Sequence, residues 1–381
     1  MKKNIIPLYP SSEKILEESQ GCYQYDTDGK KYIDFESGVW CVNLGHSRPR
    51  IVDVIQQQSR RSIHQGYRFR NAEAEQLSTE LQRIIGFDGG ASVFLSSGSE
   101  AVNLSITMAQ KLTGRKKILK ISNSYLSAYG FGQITPDNEY VVCADYNNMD
   151  ALDDIDFSEI SALLLETGGA SVGIVRFPSN EYVRKLIALC ETNGCLVIAE
   201  EVTTGMGRQG KWFGFQNYEA RPDMVVTGKG LGNGYPISAV TINSDTLDRL
   251  NDNLFVYAQS HQNDPLGCAI ALEVIKVMEE EKVLVNCLKM GTYFEEQLQG
   301  LKSAFPVKIK EVRAMGLMLA LEFQDSFDST FINEGLFESG FVFGYKLNTL
   351  RFLPPLVITE KEIDELIGQL NELLEREGSL P

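Results

Sequence analysis

From about residue 91 the chain alternates two kinds of apolar pattern. Short β-branched and aliphatic runs, "ASVFLSS", "KKILKIS", "YVVCAD", "SALLLE", "CLVIAEEV" and "DMVVTG", read as strands. Between them the apolar residues fall at helical spacing. Ala101, Leu104, Met108 and Leu112 share a face of "SEAVNLSITMAQKLTG", stopped by Gly114, and Val183, Leu186, Ile187 and Cys190 share one of "SNEYVRKLIALCETNG", stopped by Gly194. Strands this apolar are covered on both faces, so the pattern predicts an α/β fold with a mainly parallel central sheet. The C-terminal part reads differently. Amphipathic helices in "DPLGCAIALEVIKVMEEEK" and "TEKEIDELIGQLNELLERE" flank strand-like "LMLALEF" and "TLRFLPPLVI", which predicts a smaller α+β domain. The expected division is an N-terminal segment, 1–45, packing with the small domain, a large domain, 46–272, and the small domain, 273–381.

Composition narrows the partners more than the fold. With 381 residues, 43% hydrophobic and 23% charged, the chain has room for a large core and ordinary globular proportions. A net charge of −15 argues against nucleic acid, whose binders carry clustered positive charge. The seven cysteines are scattered and contain no Cys-x-x-Cys pair, the pattern of reduced cytoplasmic thiols without structural metal. "MKKNIIPLYPSSEK" lacks the apolar core of a secretory signal, and no apolar run is long enough to cross a bilayer. The expectation is a cytoplasmic protein acting on small molecules, with no membrane or nucleic-acid partner.

"GMGRQG", 205–210, has the spacing of a dinucleotide-binding turn, but the aromatic, glycine-broken "KWFGFQNY" behind it offers no helix N-terminus for a pyrophosphate. Lys211 nearly completes a P-loop, yet Trp212 stands where a hydroxyl must meet magnesium. Three other features need one explanation. "LSSGSEAVN", 95–103, runs from strand to helix through small residues and exposes N–H groups that favour a phosphate. In "VIAEEVTTG" carboxylates end an apolar strand, where they are costly to bury without a cationic partner. "VVTGKGLGNGYPISAV" then sets Lys229 among glycines at the end of another such strand. An anion site, a partner for a pyridinium nitrogen and an amine for a Schiff base are the needs of pyridoxal 5'-phosphate.

The block "EEVTTGMGRQGKWFGFQNYEARPDMVVTGKGLGNGYPISAV" resembles the centre of the class III, or ω-amino acid type, aminotransferases of fold type I. The resemblance continues in "DTDGKKYIDFESGVWCVNLGHSRP", "SSGSEAVN", "DPLGCAIAL" and "LRFLPPLVI", and so covers nearly the whole chain. It implies that Lys229 forms the Schiff base and shuttles the proton, and that Glu200 pairs with the pyridinium nitrogen. It also implies that Gly98 and Ser99 bind the phosphate, that Tyr125 stacks on the ring and that Thr203 lies by the phenolic oxygen. Ser260, five residues before Pro265, matches the residue that reaches the neighbouring subunit's phosphate, which implies a homodimer with shared sites. Arg351 is the implied carboxylate-binding residue, with Trp40 and Tyr67 as pocket walls.

Four positions depart from the family pattern. Glu200 replaces Asp, which moves the carboxylate by about 1.5 Å; Thr203 replaces Gln; and Tyr125-Leu126-Ser127 lacks the usual histidine. Ser171 stands where a glutamate otherwise masks the arginine, so Arg351 is expected to be open to a substrate carboxylate in both half-reactions. The implied activity is ping-pong transfer of an amino group from an amino acid or ω-amine to an oxo acid. Epimerisation, racemisation, aminomutation and decarboxylation remain alternatives on the same scaffold, because the fold does not decide which bond breaks.

Overall fold

The computed structural model describes residues 5, 6, 8, 12–133, 138–169, 175–253 and 255–376. An N-terminal meander comes first, formed by β1 (Leu16–Gln20), β2 (Tyr23–Asp26) and β3 (Lys31–Asp34). The central sheet contains β4 (Ala91–Leu95), β5 (Lys117–Ile121), β6 (Val141–Ala144), β7 (Ile160–Leu165), β8 (Leu196–Glu201), β9 (Met224–Thr227) and β10 (Ser238–Ile242). Their spatial order is β4-β10-β9-β8-β7-β5-β6. All run one way except β10, which is antiparallel to both neighbours. The reversal has a local cause. Only residues 228–237 separate β9 from β10, too few for the crossover that a parallel neighbour requires.

The apolar runs form strands as their patterning predicts, and β7 to β10 are buried at every position. On one face the helix Gly98–Thr113 packs Val102, Leu104 and Ile106 against Leu164, Ile198 and Val226. On the other, Tyr182 and Leu186 of the helix Asn180–Thr192 cover Leu163, Leu165 and Val197. Burying each such side chain contributes about 1.5–3 kcal/mol. Strand alternation puts Glu200 on the face of Leu196 and Ile198, and Glu201 on the opposite one.

The small domain contains β11 (Ile309–Met315), β12 (Met318–Phe323), β13 (Phe341–Val342), β14 (Gly344–Lys346) and β15 (Thr349–Phe352). β11, β12, β15 and β14 form an antiparallel sheet in that order. β15 covers only the first part of "TLRFLPPLVI", because Pro354 and Pro355 cannot continue a ladder. β13 pairs in parallel with β3, and the N–H groups of Leu353 and Leu356 donate to the carbonyls of Phe35 and Asn43, both at 2.7 Å. These bonds bring residues 34–43 beside residues 344–356. Among the described residues, no helix is long and apolar enough to cross a membrane.

Candidate active site

Since β4, β7, β8 and β9 are co-directional, their carboxyl ends share one edge of the sheet, the usual ligand-binding edge of an open α/β sheet. From that edge emerge Gly98 and Ser99 after β4, Glu166 after β7, Glu200 and Thr203 at and beyond the end of β8, and Lys229 beyond β9. Lys229 takes a left-handed backbone conformation, φ 43°, and its Nζ donates to Thr203 Oγ1 at 2.6 Å. The same Nζ lies 4.4 Å from the centre of the Trp40 ring. Burial holds the Lys229 amine below the ordinary lysine range, against the pull of Glu200, Cys41 and Glu166.

Two buried carboxyl groups, Glu200 and Glu166, act on this amine, and a third, Glu201, is buried on the opposite face of β8. Burial, reinforced by Glu166, holds Glu200 well above the usual carboxylate range, while Lys229 opposes the rise. Glu166 is also raised by burial, although it accepts from the Gly169 N–H at 2.6 Å. Glu201, on the other face of β8, is pushed up to about 7 by burial. Thr204 Oγ1 and the N–H groups of Gly214 and Phe215 donate to it at 2.7, 2.8 and 2.7 Å, so Glu201 holds the loop behind the site. Among the described residues no ion pair joins Glu200 to Lys229, and Glu200, buried at the end of β8, accepts from the Val202 N–H.

Beside them the helix Gly98–Thr113 begins at a capping box. Ser97 Oγ accepts from the Glu100 N–H, while Glu100 accepts from the N–H groups of Ser96 and Ser97 at 2.9 Å. The first-turn N–H groups of Gly98 and Ser99 have no intrahelical acceptor and form the positive end of the helix. A Cβ at Gly98 would lie 2.8 Å from Val202 Cγ1, so only glycine lets the helix start approach the end of β8. Ser99 Oγ accepts from the Ala128 N–H at 2.9 Å, and Asn103 Nδ2 donates to Ser127 Oγ at 2.9 Å. These bonds fix the loop carrying Tyr125, whose side chain is 37% exposed and therefore has a face free for stacking. An anion cradle, a buried carboxyl with no cationic partner among the described residues and a buried amine within one sheet edge fit pyridoxal phosphate.

Trp40 reaches the lysine from an unusual turn. Ser37, Gly38, Val39 and Trp40 all have positive φ, 44°, 58°, 58° and 68°, a left-handed conformation costly for Ser, Val and Trp. Asp34 holds the turn by accepting from the N–H groups of Glu36 and Gly38, both at 2.8 Å, and Ser37 Oγ donates to the Leu353 carbonyl at 2.8 Å. Fully buried Arg208 donates to Ser37 Oγ, Asn43 Oδ1 and the carbonyls of Leu317 and Pro354, at 3.1, 2.9, 3.0 and 2.5 Å. The turn lays the Trp40 ring against Lys229 and, at 5.2 Å, against the Arg351 guanidinium.

Arg351 is not open, contrary to expectation. Its Nη2 is 3.1 Å from Glu36 Oε1, in a pair that is largely buried on both sides. Ser171, whose substitution prompted that expectation, lies outside the described residues. A second carboxylate, from the N-terminal segment, meets the guanidinium instead. No motif singles out Glu36, the acid directly after the apolar "YIDF", although it is the residue that pairs with Arg351. Arg208 was missed as well.

The structure brings Lys229, Glu200, Thr203, Trp40 and Arg351 together, with Gly98 and Ser99 on the same sheet edge. Tyr67 is 51% exposed, Ser260 is exposed, and among the described residues neither bonds to this group. Their segments are instead tied to each other: His64 Nδ1 and His261 Nδ1 each bond one oxygen of Asp264 at 2.6 Å.

Comparison with known proteins gives a family and a set of relatives. The family model for class III aminotransferases matches residues 9–127 and 133–374. An acetylornithine aminotransferase of Caldanaerobacter subterraneus is 32% identical over 98% of this chain and 98% of its own length. One of Archaeoglobus fulgidus is 29% identical over 96% of this chain and 97% of its own. The crystal structure of acetylornithine aminotransferase from Elizabethkingia anophelis superposes with a TM-score of 0.87 at 28% identity, covering 98% of this chain and 97% of that one.

Proposed function

From the premise that the chain belongs to the class III aminotransferases, we propose that Lys229, Glu200 and Arg351 carry amino transfer from an amino acid or ω-amine to an oxo acid. The protein is a pyridoxal-phosphate-dependent aminotransferase of fold type I. The relatives make an N-acylated diamino acid the first donor to test. Family membership favours transfer over the epimerase, racemase, aminomutase and decarboxylase alternatives.

The observation that carries the assignment of roles is the hydrogen bond from Lys229 to Thr203 beside the buried carboxyl of Glu200. When bound, pyridoxal phosphate supplies an aldehyde that condenses with amines and a ring that accepts the electron pair of the substrate's Cα–H bond. Gly98 and Ser99 hold the phosphate through the N–H groups of the helix start. Glu200 would pair with the ring nitrogen in a charge-assisted bond, of order 1.5–3 kcal/mol. Lys229 would hold the cofactor covalently, and its amine would carry the proton of the substrate's α-carbon. Burial suits it to this, because a lysine near its ordinary pKa of about 10.4 stays protonated at neutral pH. Thr203 holds the amine in place between these duties, Tyr125 covers the ring, and Arg351 binds the substrate carboxylate beside Trp40. Two substrates then bind in turn, in ping-pong order.

The exposed Tyr67 and Ser260 segments support a homodimer in which Ser260 completes the neighbour's phosphate site and Tyr67 walls its pocket. In this reading residues 46–272 carry the cofactor, while 1–45 and 273–381 form the cover that carries Trp40 and Arg351. Seven free thiols support a cytoplasmic location. The test is production of an oxo acid from an amine donor in equal amount to aminated cofactor, in wild type and not in Lys229→Ala. Racemised donor without oxo acid would overturn the proposal.

A further inference from the structure

The chain has three histidines, and two of them meet at one carboxylate. His64 Nδ1 lies 2.6 Å from Asp264 Oδ1 and His261 Nδ1 lies 2.6 Å from Asp264 Oδ2, while the centres of the two imidazole rings are 4.8 Å apart. His64 and Asp264 are 200 positions apart in sequence, so the fold brings them together. His64 follows the helix Pro49–Arg61, whereas His261 and Asp264 directly precede the helix Pro265–Glu280. The amino-transfer chemistry uses none of the three.

The surrounding elements hold Asp264 for this contact. Asn263 has a left-handed backbone, φ 59°; its side chain accepts from the Phe94 N–H at 2.9 Å and its own N–H donates to the Phe94 carbonyl at 3.0 Å. The Asn263 carbonyl accepts from Asn71 Nδ2 at 2.8 Å, so β4 and the start of the helix Ala72–Ile85 both anchor the segment. Asp264 is the N-cap of Pro265–Glu280, where an aspartate ordinarily accepts from the N–H groups of the first turn. Its side chain makes no such bond, and both of its oxygens are turned to the imidazoles instead. The Asp264 side chain is 16% exposed against 42% for His64 and 62% for His261, so an anchored carboxylate faces two rings with room to rotate.

One ligand atom from each of the three residues lies within 4.8 Å of the others. A tetrahedral zinc ion, with ligands at about 2.0–2.2 Å, holds them about 3.3 Å apart, between that limit and the 2.6 Å of the hydrogen bonds. A cavity of about 250 Å³ opens beside His261 and Asp264, bounded by Ser96 and Tyr235, with room for a water in the fourth position.

We propose that His64, His261 and Asp264 bind a divalent transition-metal ion of the zinc class. Two imidazole nitrogens and one carboxylate suit such an ion, whereas calcium and magnesium require a shell of oxygens that one carboxylate does not supply. No thiolate takes part, which is why the cysteine pattern gave no sign of the site. Binding replaces the two hydrogen bonds by metal–nitrogen bonds, and each neutral ring gives up its Nδ1 proton to water while taking one at Nε2. The ion clasps the segment of Tyr67 to that of Ser260, beside the surface through which Ser260 would reach a neighbouring subunit. The site forms without cofactor and stands apart from the aminotransferase reading.

The test titrates Zn²⁺ by calorimetry into untagged, cofactor-loaded protein, with Co²⁺ in parallel to read the coordination geometry from visible absorption. Wild type is expected to bind one Zn²⁺ per chain with a Kd of about 10 μM or below, and to gain thermal stability on binding. His64→Gln, His261→Gln and Asp264→Asn should each weaken binding at least about tenfold, since losing even a residue that supports a ligand costs that much. Cys143→Ser, which removes an exposed thiol, should bind as wild type does. If Asp264→Asn does not fold, the two variants at exposed histidines carry the comparison. Absence of binding to wild type overturns the proposal, as do equal affinities in wild type and the ligand variants, or a loss confined to Cys143→Ser.

Discussion

Lys229 Nζ donates to Thr203 Oγ1 across 2.6 Å, joining the ends of two adjacent strands, β8 and β9. The amine thus has a fixed resting place before any cofactor or substrate arrives, and its burial keeps the proton loosely held. Thr203→Val removes the acceptor while keeping the shape. The expected result is a loss of about tenfold in kcat, the equivalent of about 1.4 kcal/mol, with little change in thermal stability. Steady-state kinetics on the cofactor-saturated enzyme measures it.

Glu201 makes the cofactor-free fold sensitive to pH. A carboxyl whose pKa is higher in the folded chain than in the unfolded one takes up a proton on folding. Its contribution is complete below the unfolded value and is lost as pH rises through the folded one. With Glu201 raised from 4.5 to about 7, wild type should lose about 3 kcal/mol relative to Glu201→Gln between pH 4.5 and pH 8. Urea unfolding of both proteins at several pH values gives the difference directly, and Glu201→Gln should show the flatter profile.

Among the described residues Arg208 meets four acceptors and no carboxylate, and it ties the Trp40 turn to Leu317 and Pro354. Arg208→Met leaves those acceptors unsatisfied in the interior. The expected cost is about 3–5 kcal/mol in stability, seen as a lower urea midpoint at an unchanged slope.

In the proposed homodimer Ser260 reaches the neighbouring subunit's phosphate site. Ser260→Ala should weaken pyridoxal phosphate binding about tenfold while the protein sediments as the same dimer as wild type. An unaltered cofactor affinity would remove Ser260 from the phosphate site.

What could be read from the sequence depended on how local each feature is. The end of β8 and the lysine after β9 lie within one continuous block, and apolar runs bracket them, so Glu200 and Lys229 could be named with their strands. Glu36 and Arg351 are 315 positions apart and meet only because β13 pairs with β3 and Leu353 bonds Phe35. No spacing rule announces such a pair, and its absence from the reading led to the expectation of an open arginine. The left-handed turn at residues 37–40 was equally hidden. Ser, Val and Trp avoid that conformation, and bonds to Asp34 and Leu353 and from Arg208 hold it. Tyr67 and Ser260 could be named but not assembled, since a single chain leaves both exposed.

The most direct test of the central claim is a single half-reaction. Protein loaded with pyridoxal phosphate is mixed with an ω-amine or amino acid donor and no acceptor, and oxo product and aminated cofactor are counted against active sites. The account predicts one equivalent of each from wild type, with a rate at least about a thousandfold lower in Lys229→Ala. Equal rates in the two proteins, or loss of donor without aminated cofactor, would contradict it.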